Sequence, residues 1–411
     1  MRLVFLAHPA FLGLRSQDAY ARMLMDGCAA RGHQVELRSA QPRCWQWLRH
    51  TAWAKWGGYV DQYLLFPRQL KRQLKADPPD TLYVVCDQAL GPWVPSVAQR
   101  PHVVHCHDLL ALASALGEVP ENPTRASGRL YQRCIRRGFA QARHFISISA
   151  HTRSELHRLG LRGRAAKTSV VVLNGLNHPY TPLPPAAADA VLQAAGLETP
   201  AAGWLLHVGG GQWYKNTAGV VALYGQLVRR LEAAGAPVPL LLMVSPTPGA
   251  AVRLQLQQLP AAGQVRWLHP VAPALLHALY ARARALLFPS LAEGYGWPVA
   301  EALACGCPVV CTGVAPLTEV GGDAPLYLPR LPGPQALAAW AADAATAVAG
   351  LLNEAPEAAA HRRARGLARA AALQADNAID RCLAVYEEVL RLEQPKCSPG
   401  ATVAPGSRLP V

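Results

Sequence analysis

The chain has 411 residues and a formal net charge of +14 at pH 7, with 51% hydrophobic and 16% charged residues. That length allows two domains with ordinary cores, and the apolar fraction excludes a disordered chain. The positive charge calls for an anionic partner: nucleic acid, a membrane surface or a small molecule. Because Lys and Arg are spread along the chain rather than clustered, we expect no nucleic-acid-binding groove.

The sequence predicts a cytoplasmic location. The longest apolar runs, such as 240–244, are too short for a transmembrane helix. The first seven residues indicate a strand rather than a signal peptide, since a polar loop follows at His8. The ten cysteines lie mostly in apolar segments and lack extracellular spacing.

The first half alternates short apolar runs with helical patterns. Strands are predicted over 3–7, 35–38, 81–86, 102–106, 144–148 and 169–173. Helices are predicted over 18–31, 129–141 and 151–159. This alternation predicts a parallel sheet covered by helices on both faces.

Segment 45–75 mixes aromatic and basic side chains. Its members are Trp45, Trp47, Trp53 and Trp56, together with Arg49, Lys55, Arg68, Lys71, Arg72 and Lys75. Such a mixture favours peripheral contact with a membrane or with a lipid-linked acceptor, which would put the protein at the inner face of the membrane. The alternative is an insertion that packs its tryptophans inward.

A Pro-rich connector, 174–189, separates the halves, and the strand–helix alternation then restarts. The second half has predicted strands over 204–208, 240–244, 265–268, 285–288 and 309–311, and helices over 217–232, 273–283 and 299–305. We therefore predict two doubly wound domains, 1–175 and 176–375. A helix at 377–393, within segment 376–395, would return to the first domain, and 396–411 would form a tail.

Ligands of such sheets bind beyond the carboxyl ends of the strands. The residues there are polar or small: His8, Asp87, His107, Ser149, Asn174, Gly209, Ser245, His269, Ser290 and Thr312. Two facing crevices of this kind predict a deep cleft between a donor domain and an acceptor domain.

Segment 288–312, FPSLAEGYGWPVAEALACGCPVVCT, carries the strongest chemical signal. Pro298 suits the first turn of a helix, where its missing N–H costs nothing. The free N–H groups around Tyr295, Gly296 and Trp297 can hold an anion at the helix start. Glu293 and Glu301 would then flank that anion and bind hydroxyl groups. Taken singly, each glutamate could also be a solvated surface charge.

The same segment closely resembles the donor-binding signature of the retaining GT-B glycosyltransferases of group 1. That signature has two glutamates with seven residues between them, as Glu293 and Glu301 have here. The resemblance implies an α/β fold of GT-B type, with two Rossmann-like domains facing across a cleft. It is strong over 204–328 and looser over the first domain.

The resemblance also implies roles for individual residues. Glu293 would contact the transferred sugar, and Glu301 would bind the ribose. The backbone of Gly294 and its two successors would meet the sugar and the phosphates. The loop containing His269 and Val271 would receive the base.

A second motif, VGGGQWYKN, occupies 208–216 and includes Gly209 and Gly210. It lacks the spacing of a dinucleotide-binding fingerprint, and Lys215 is better explained as a charge on a diphosphate. The family carries a Lys here followed by Asn or Gly, as Lys215 and Asn216 are. Many members also carry an Arg a few residues earlier, which this chain lacks. Either another basic side chain supplies that contact or Lys215 acts alone.

The third motif is HCHD at 105–108. Its His and Cys residues suggest a metal site, but no further ligands at zinc spacing accompany them. In the resembled family a His at this strand end reaches the donor sugar, which favours His107, with His105 buried in the strand. Asp108 would orient His107 or the acceptor, or cap a helix. By the same resemblance Gly13 would lie beside the donor phosphate.

These features predict a retaining hexosyl-type glycosyltransferase. Its donor would be a nucleotide-diphosphate sugar, its acceptor a lipid-linked or polysaccharide intermediate, and no metal or other cofactor is expected. The alternatives are a catalytically inactive GT-B partner that binds a glycan or lipid, and a GT-B phosphorylase or epimerase.

Overall fold

Two six-stranded sheets organise the computed structural model, which describes residues 1–394 of the chain. The strand orders are β2-β1-β3-β4-β5-β6 and β12-β11-β10-β7-β8-β9, and neighbouring strands pair in parallel. The first sheet contains β1 (Arg2–Leu6), β2 (Gln34–Arg38), β3 (Leu82–Val85), β4 (His102–Cys106), β5 (His144–Ser147) and β6 (Thr168–Val171). The second contains β7 (Trp204–Val208), β8 (Leu240–Val244), β9 (Val265–Trp267), β10 (Ala285–Phe288), β11 (Val309–Thr312) and β12 (Leu326–Leu328).

Helices connect the strands on both faces of each sheet. The first half contains α1 (Arg15–Ala30), α2 (Cys44–Leu48), α3 (Ala54–Val60), α4 (Phe66–Gln73), α5 (Val94–Val97), α6 (Leu110–Leu116), α7 (Ala126–Phe139) and α8 (Ala150–Glu155). The second contains α9 (Pro185–Ala194), α10 (Thr217–Ala233), α11 (Ala250–Gln257), α12 (Pro273–Arg282), α13 (Trp297–Ala304), α14 (Leu317–Gly321), α15 (Leu337–Leu352), α16 (Pro356–Ala371) and α17 (Ala375–Glu393). Two π-helical turns, Asp61–Leu65 and Leu156–Leu161, continue α3 and α8.

Both faces of each sheet are buried, as parallel sheets require. Along β1, Val4 and Leu6 enter one core cluster while Leu3 and Phe5 enter another on the opposite face. Along β10, Leu286 and Phe288 enter one core cluster while Leu287 enters another on the opposite face. Side chains alternate across a strand, so continuous apolar runs produce two cores per sheet. The predicted fold class is confirmed.

The last described helix, α17, crosses back to the first half and packs on α1. Tyr386 on α17 is fully buried, and its hydroxyl lies 2.8 Å from His105 Nε2. Near the end of the helix, Glu393 forms ion pairs of 2.6 Å with Arg143 and 2.9 Å with Lys167. The chain therefore crosses between the two halves twice, once before β7 and once before α17.

The strands agree with the sequence prediction to within a residue or two at each end, apart from β12, which was not predicted. The predicted helices correspond to α1, α7, α8, α10, α12, α13 and α17, and the other helices of the described residues were not located from the sequence. β6 ends at Val171 and β7 begins at Trp204, so the predicted boundary lies between the sheets. The predicted tail, 396–411, lies outside the described residues.

One helical stretch among the described residues, Pro334–Leu352, is long and apolar enough to cross a membrane by length and composition alone. The sequence prediction did not identify it. It packs against the second sheet, where Trp340, Ala344 and Val348 join the core cluster that contains α10.

Segment 45–75 does not pack its tryptophans inward, so that alternative is wrong for three of the four. Trp47, Trp53 and Trp56 are 88%, 64% and 60% exposed. Trp45 stacks on Phe11 with ring centroids 5.1 Å apart.

Candidate active site

A cavity of about 220 Å³ lies where the carboxyl ends of β4 and β10 face each other across the two halves. Its lining residues come from both halves: Ser16, Gln17, Tyr20, His107, Asp108, Ile148, Asn174, Tyr214, Lys215, Glu293, Gly294, Tyr295, Gly296, Trp297 and Pro298. The predicted cleft therefore exists, and it brings together the sequence motifs around 107, 215 and 295.

The start of α13 forms one wall of the cavity. Gly296 has φ of 102°, and a Cβ there would lie 2.5 Å from Leu317 Cδ2, so only glycine fits. The N–H groups of Tyr295, Gly296 and Trp297 make no backbone hydrogen bond within residues 1–394. Together with the helix dipole, they leave partial positive charge facing the cavity.

Lys215 and Glu293 form a buried ion pair at the cavity wall. Lys215 Nζ lies 2.7 Å from Glu293 Oε1, and the two side chains are 12% and 7% exposed. Asn216 holds the turn below by donating from Nδ2 to the carbonyl of Pro289 at 3.0 Å. Among the side chains that the structure describes, Lys215 is the only Lys or Arg that lines this cavity. An anion entering here would meet one positively charged side chain.

Glu301 lies one turn into α13 and is only 7% exposed. Tyr280 donates a hydrogen bond to its Oε2 at 2.8 Å. Burial raises the pKa of the Glu301 carboxyl to about 7, against the opposing effects of Tyr280 and Lys215. The carboxyl therefore changes charge near neutral pH.

We expect Glu301→Gln to be more stable than the wild type in alkaline buffer and nearly equal in mild acid. The folded protein holds the Glu301 proton more tightly than the unfolded chain, so that stabilisation is lost as pH rises from 4.5 through about 7. The shift corresponds to about 3 kcal/mol. Thermal unfolding at about pH 5 and about pH 8.5 measures the difference, with the exposed Glu198→Gln as control. An identical pH response of wild type and Glu301→Gln would contradict the prediction.

His107 faces Gly294 across the two halves. Its Nε2–H donates to the carbonyl of Cys86 at 2.8 Å, and Tyr20 packs edge-on against the ring. Burial lowers the pKa of His107, so its ring is neutral at pH 7. The Thr152 hydroxyl donates to the carbonyl of His107 at 3.2 Å. With its proton held on Nε2, the neutral ring offers Nδ1 as an acceptor for one hydrogen bond from a ligand.

The other members of the HCHD motif have structural partners. The two ring nitrogens of His105 lie 2.7 and 2.8 Å from the hydroxyls of Tyr20 and Tyr386, and the ring is fully buried. Asp108 accepts from the backbone N–H of Leu110 at 3.0 Å, as a helix cap would. Within residues 1–394, no three His, Cys, Asp or Glu side chains are grouped to hold a metal ion.

The structure does not bring every predicted donor residue to this cavity. Gly210 and Asn216 line a second cavity of about 490 Å³ on the second half. Gly209 lies at the end of β7, where its N–H bonds to the carbonyl of Val244. His269 is exposed, while Val271 packs against the second sheet. Gly13 ends a short turn, and neither Gly13 nor Glu301 is among the lining residues.

A histidine–carboxylate pair close to His107 was missed as a functional group. His8 Nε2 lies 3.1 Å from Asp87 Oδ2, and both side chains are nearly buried. Burial acts to raise the pKa of Asp87, but the hydrogen bond from His8 and the nearby histidines outweigh it and hold that pKa below its usual value. Burial and the neighbouring Asp87 raise the pKa of Asp108 to about 6. The available signal was that polar or small residues follow the strands. That signal did not distinguish His8 and Asp87 from the other eight strand-end residues named in the sequence.

Comparison with known proteins agrees with this geometry. A sucrose-phosphate synthase from Thermosynechococcus elongatus superposes with a TM-score of 0.69 at 18% identity, covering 95% of this chain and 100% of that one. A trehalose-6-phosphate structure from E. coli, bound with UDP-2-fluoro glucose, superposes with a TM-score of 0.64 at 13% identity, covering 96% and 99%. At such identities the likeness concerns the fold, and it defines the protein as a GT-B protein.

Residues 17–175 match the family described as "Glycosyl transferase 4-like domain", and residues 204–352 match "Glycosyl transferases group 1". Each half of the chain thus matches a glycosyltransferase domain family, and the second half matches group 1. It is 32% identical over 208 residues to the O-antigen chain mannosyltransferase B of Escherichia coli, covering 50% of this chain and 53% of the relative. The chain thus spans about half the length of that curated relative.

Proposed function

We propose that the protein transfers a hexosyl group from a nucleotide-diphosphate sugar to an acceptor hydroxyl, with retention of the anomeric configuration. The observation that carries the proposal is the convergence of the Lys215–Glu293 ion pair, the start of α13 and His107 on one cavity between the halves. The matches of both halves to glycosyltransferase domain families and the similar GT-B folds support it.

The donor would bind with its diphosphate against the start of α13. There the free N–H groups and Lys215 would stabilise the negative charge that grows on the departing diphosphate. No metal ion or other cofactor is needed for that stabilisation. Lys215 would then exchange part of its contact with Glu293 for a phosphate oxygen.

The sugar would lie between Glu293 and His107. The carboxylate of Glu293 and the neutral imidazole of His107 would hold its hydroxyl groups, and Glu301 would accept hydrogen bonds from the ribose. The bond between the anomeric carbon and the diphosphate would break while the acceptor oxygen attacks from the same face. The acceptor proton would leave with the diphosphate. No protein nucleophile is required.

A mannosyl group is the first sugar to test, because the curated relative is an O-antigen chain mannosyltransferase. The same relationship supports a lipid-linked polysaccharide intermediate as the acceptor, in surface polysaccharide synthesis. Such an enzyme would work in the cytoplasm at the inner face of the membrane, as a peripheral protein.

A thermal-shift panel of nucleoside diphosphates and their sugar conjugates tests the donor site. A ligand at a hundred times its Kd should add about 2.7 kcal/mol of stability. We expect the nucleotides of one base to stabilise the wild type but not Glu301→Ala. The sugar conjugate of that nucleotide should then be turned over in the presence of an acceptor. The anomeric configuration of the product, measured by NMR, then tests retention.

The panel also distinguishes the alternatives. Thermal shifts without transfer to any acceptor would favour an inactive binding partner. Turnover that requires phosphate, or that needs no acceptor, would indicate a phosphorylase or an epimerase. No shift with any nucleotide would contradict the proposed donor site.

A further inference from the structure

Three tryptophans stand out from the surface of the first half, and the fold holds them there. Trp47, Trp53 and Trp56, here called the tryptophan rim, are all more than half exposed. The carboxylate of Asp61, only 1% exposed, accepts hydrogen bonds from the N–H groups of Cys44 and Trp45 at 2.8 Å. This buried cap fixes α2 against the turn after α3, so the exposed rings belong to an ordered surface.

Stacked aromatic rings connect the rim to α7. Trp56 packs edge-on against Tyr59 at 6.0 Å, and Tyr59 stacks on Tyr131 of α7 at 5.6 Å. The hydroxyls of Tyr63 and Tyr131 lie 2.6 Å apart. Tyr131 therefore ties the base of the rim to the first turns of α7.

The exposed face of α7 leads from apolar to basic side chains. Leu130 is 62% exposed, and Arg133 and Arg137 follow at helical spacing on the same face. At 1.5 Å per residue, Leu130 and Arg137 are about 10 Å apart along the axis. The rim and the basic end of α7 are thus neighbouring parts of one surface.

Five arginines surround a cavity of about 570 Å³ at that basic end, here called the arginine basin. They are Arg133, Arg136 and Arg137 on α7, and Arg162 and Arg164 in the loop after the second π turn. Arg162 has φ of 50°, a left-handed backbone conformation that is uncommon for residues other than Gly, Asn and Asp. The loop therefore turns back sharply at this residue, which lines the cavity.

The charges in the basin are not balanced by carboxylates. None of the five arginines takes part in an ion pair within residues 1–394. Elsewhere in these residues many arginines do, such as Arg158 and Arg330. The pKa of Arg136 is lowered by burial and then by the charges of Arg162 and Arg133. Like charges held together in a concave site attract anions.

We propose that the tryptophan rim and the arginine basin together dock the protein on an anionic lipid bilayer. The indole rings would enter the headgroup region, where amphipathic aromatic side chains are favoured, and the arginines would bind lipid phosphates. A soluble phosphate would account for the basin but not for the rim. The surface deepens the proposed function, because a lipid-linked acceptor is presented at a membrane.

Co-sedimentation with vesicles tests the proposal on the full chain. The probes are vesicles of phosphatidylcholine alone and vesicles of phosphatidylcholine with phosphatidylglycerol. The variants are Trp53→Ala with Trp56→Ala for the rim, and Arg133→Gln with Arg137→Gln for the basin. Arg229→Gln with Arg253→Gln removes the same charge from exposed positions of the second half and is the matched control.

We expect the wild type and the control to bind the anionic vesicles and to bind the neutral ones far more weakly. The basin variant should lose at least tenfold in affinity for anionic vesicles, and the loss should shrink at high salt. The rim variant should lose affinity at every salt concentration. Thermal unfolding of each variant verifies that the fold is intact.

Several results would overturn the proposal: no binding to anionic vesicles, equal loss in the control, or vesicle binding insensitive to both variants. Gel shifts with single-stranded RNA that fall in the basin variant, while vesicle binding stays unchanged, would instead assign the basin to nucleic acid. The donor thermal-shift panel is run on the same variants. If no nucleotide stabilises the protein while vesicle binding is retained, the result would count against the proposed function alone.

Discussion

Replacing Lys215 with methionine is expected to lower kcat by about 100- to 1000-fold, the usual cost of removing one electrostatic donor from a transition state. Methionine keeps the length of the side chain but removes the charge that the departing diphosphate needs. Among the described residues lining the cavity, no second Lys or Arg can replace it. The measurement is steady-state turnover with the donor identified in the thermal-shift panel.

The change also leaves Glu293 buried without its partner, which commonly destabilises a fold by about 3 to 5 kcal/mol. Lys215→Met combined with Glu293→Gln removes that uncompensated charge and should recover most of the lost stability without recovering turnover. Arg229→Met, which removes an exposed charge from α10, should leave stability and turnover unchanged. Turnover near the wild-type rate in the stable double variant would contradict the proposed role of Lys215.

Gly294→Ala should disrupt the closed cleft and reduce turnover by 100-fold or more. A Cβ at this position would lie 2.5 Å from the carbonyl oxygen of His107 and 2.9 Å from Asp108 Cβ. Those atoms belong to the other half, so the halves must move apart to relieve the overlap. A displacement of about 1 Å in a catalytic arrangement can cost about 100-fold in rate. Turnover and small-angle scattering measure the two effects.

Gly350→Ala is the matched control, since a Cβ there meets nothing within 4 Å inside α15. It should leave turnover unchanged and stabilise the helix slightly. If Gly294→Ala kept both normal turnover and the wild-type scattering profile, the closed contact between His107 and Gly294 would have no bearing on activity.

The sheets were predictable because buried parallel strands are continuous apolar runs. β4, β7, β8 and β10 have the predicted bounds. The region from α2 to α4 was not predictable, because its order depends on distant contacts. Gly57 and Gly58 suggest a loop, yet α3 forms there, beside the backbone cap that the buried Asp61 supplies to α2. β12 has three residues between Pro325 and Pro329, too few for a periodic signal.

The site was predictable only in part, because spacing does not reveal contacts between distant segments. Lys215 and Glu293 are 78 positions apart, and their ion pair follows from how β7 and β10 pair in the sheet. His8 and Asp87, 79 positions apart, meet at the ends of β1 and β3 for the same reason. The raised pKa of Glu301 depends on burial, which a helix-surface pattern does not indicate. The donor roles assigned to these residues stay predictions.

The return of α17 to the first half has a consequence for synthesis on the ribosome. Ile379, Cys382 and Tyr386 belong to the core cluster that also contains β1 and α1. α1 covers only part of that face of the first sheet, and the rest stays uncovered until the chain beyond Ala375 has emerged, by which time the whole second sheet has been made. Although N-terminal domains generally fold first during synthesis, this one can complete its core only last. Until then its exposed apolar face is the surface on which a chaperone would act.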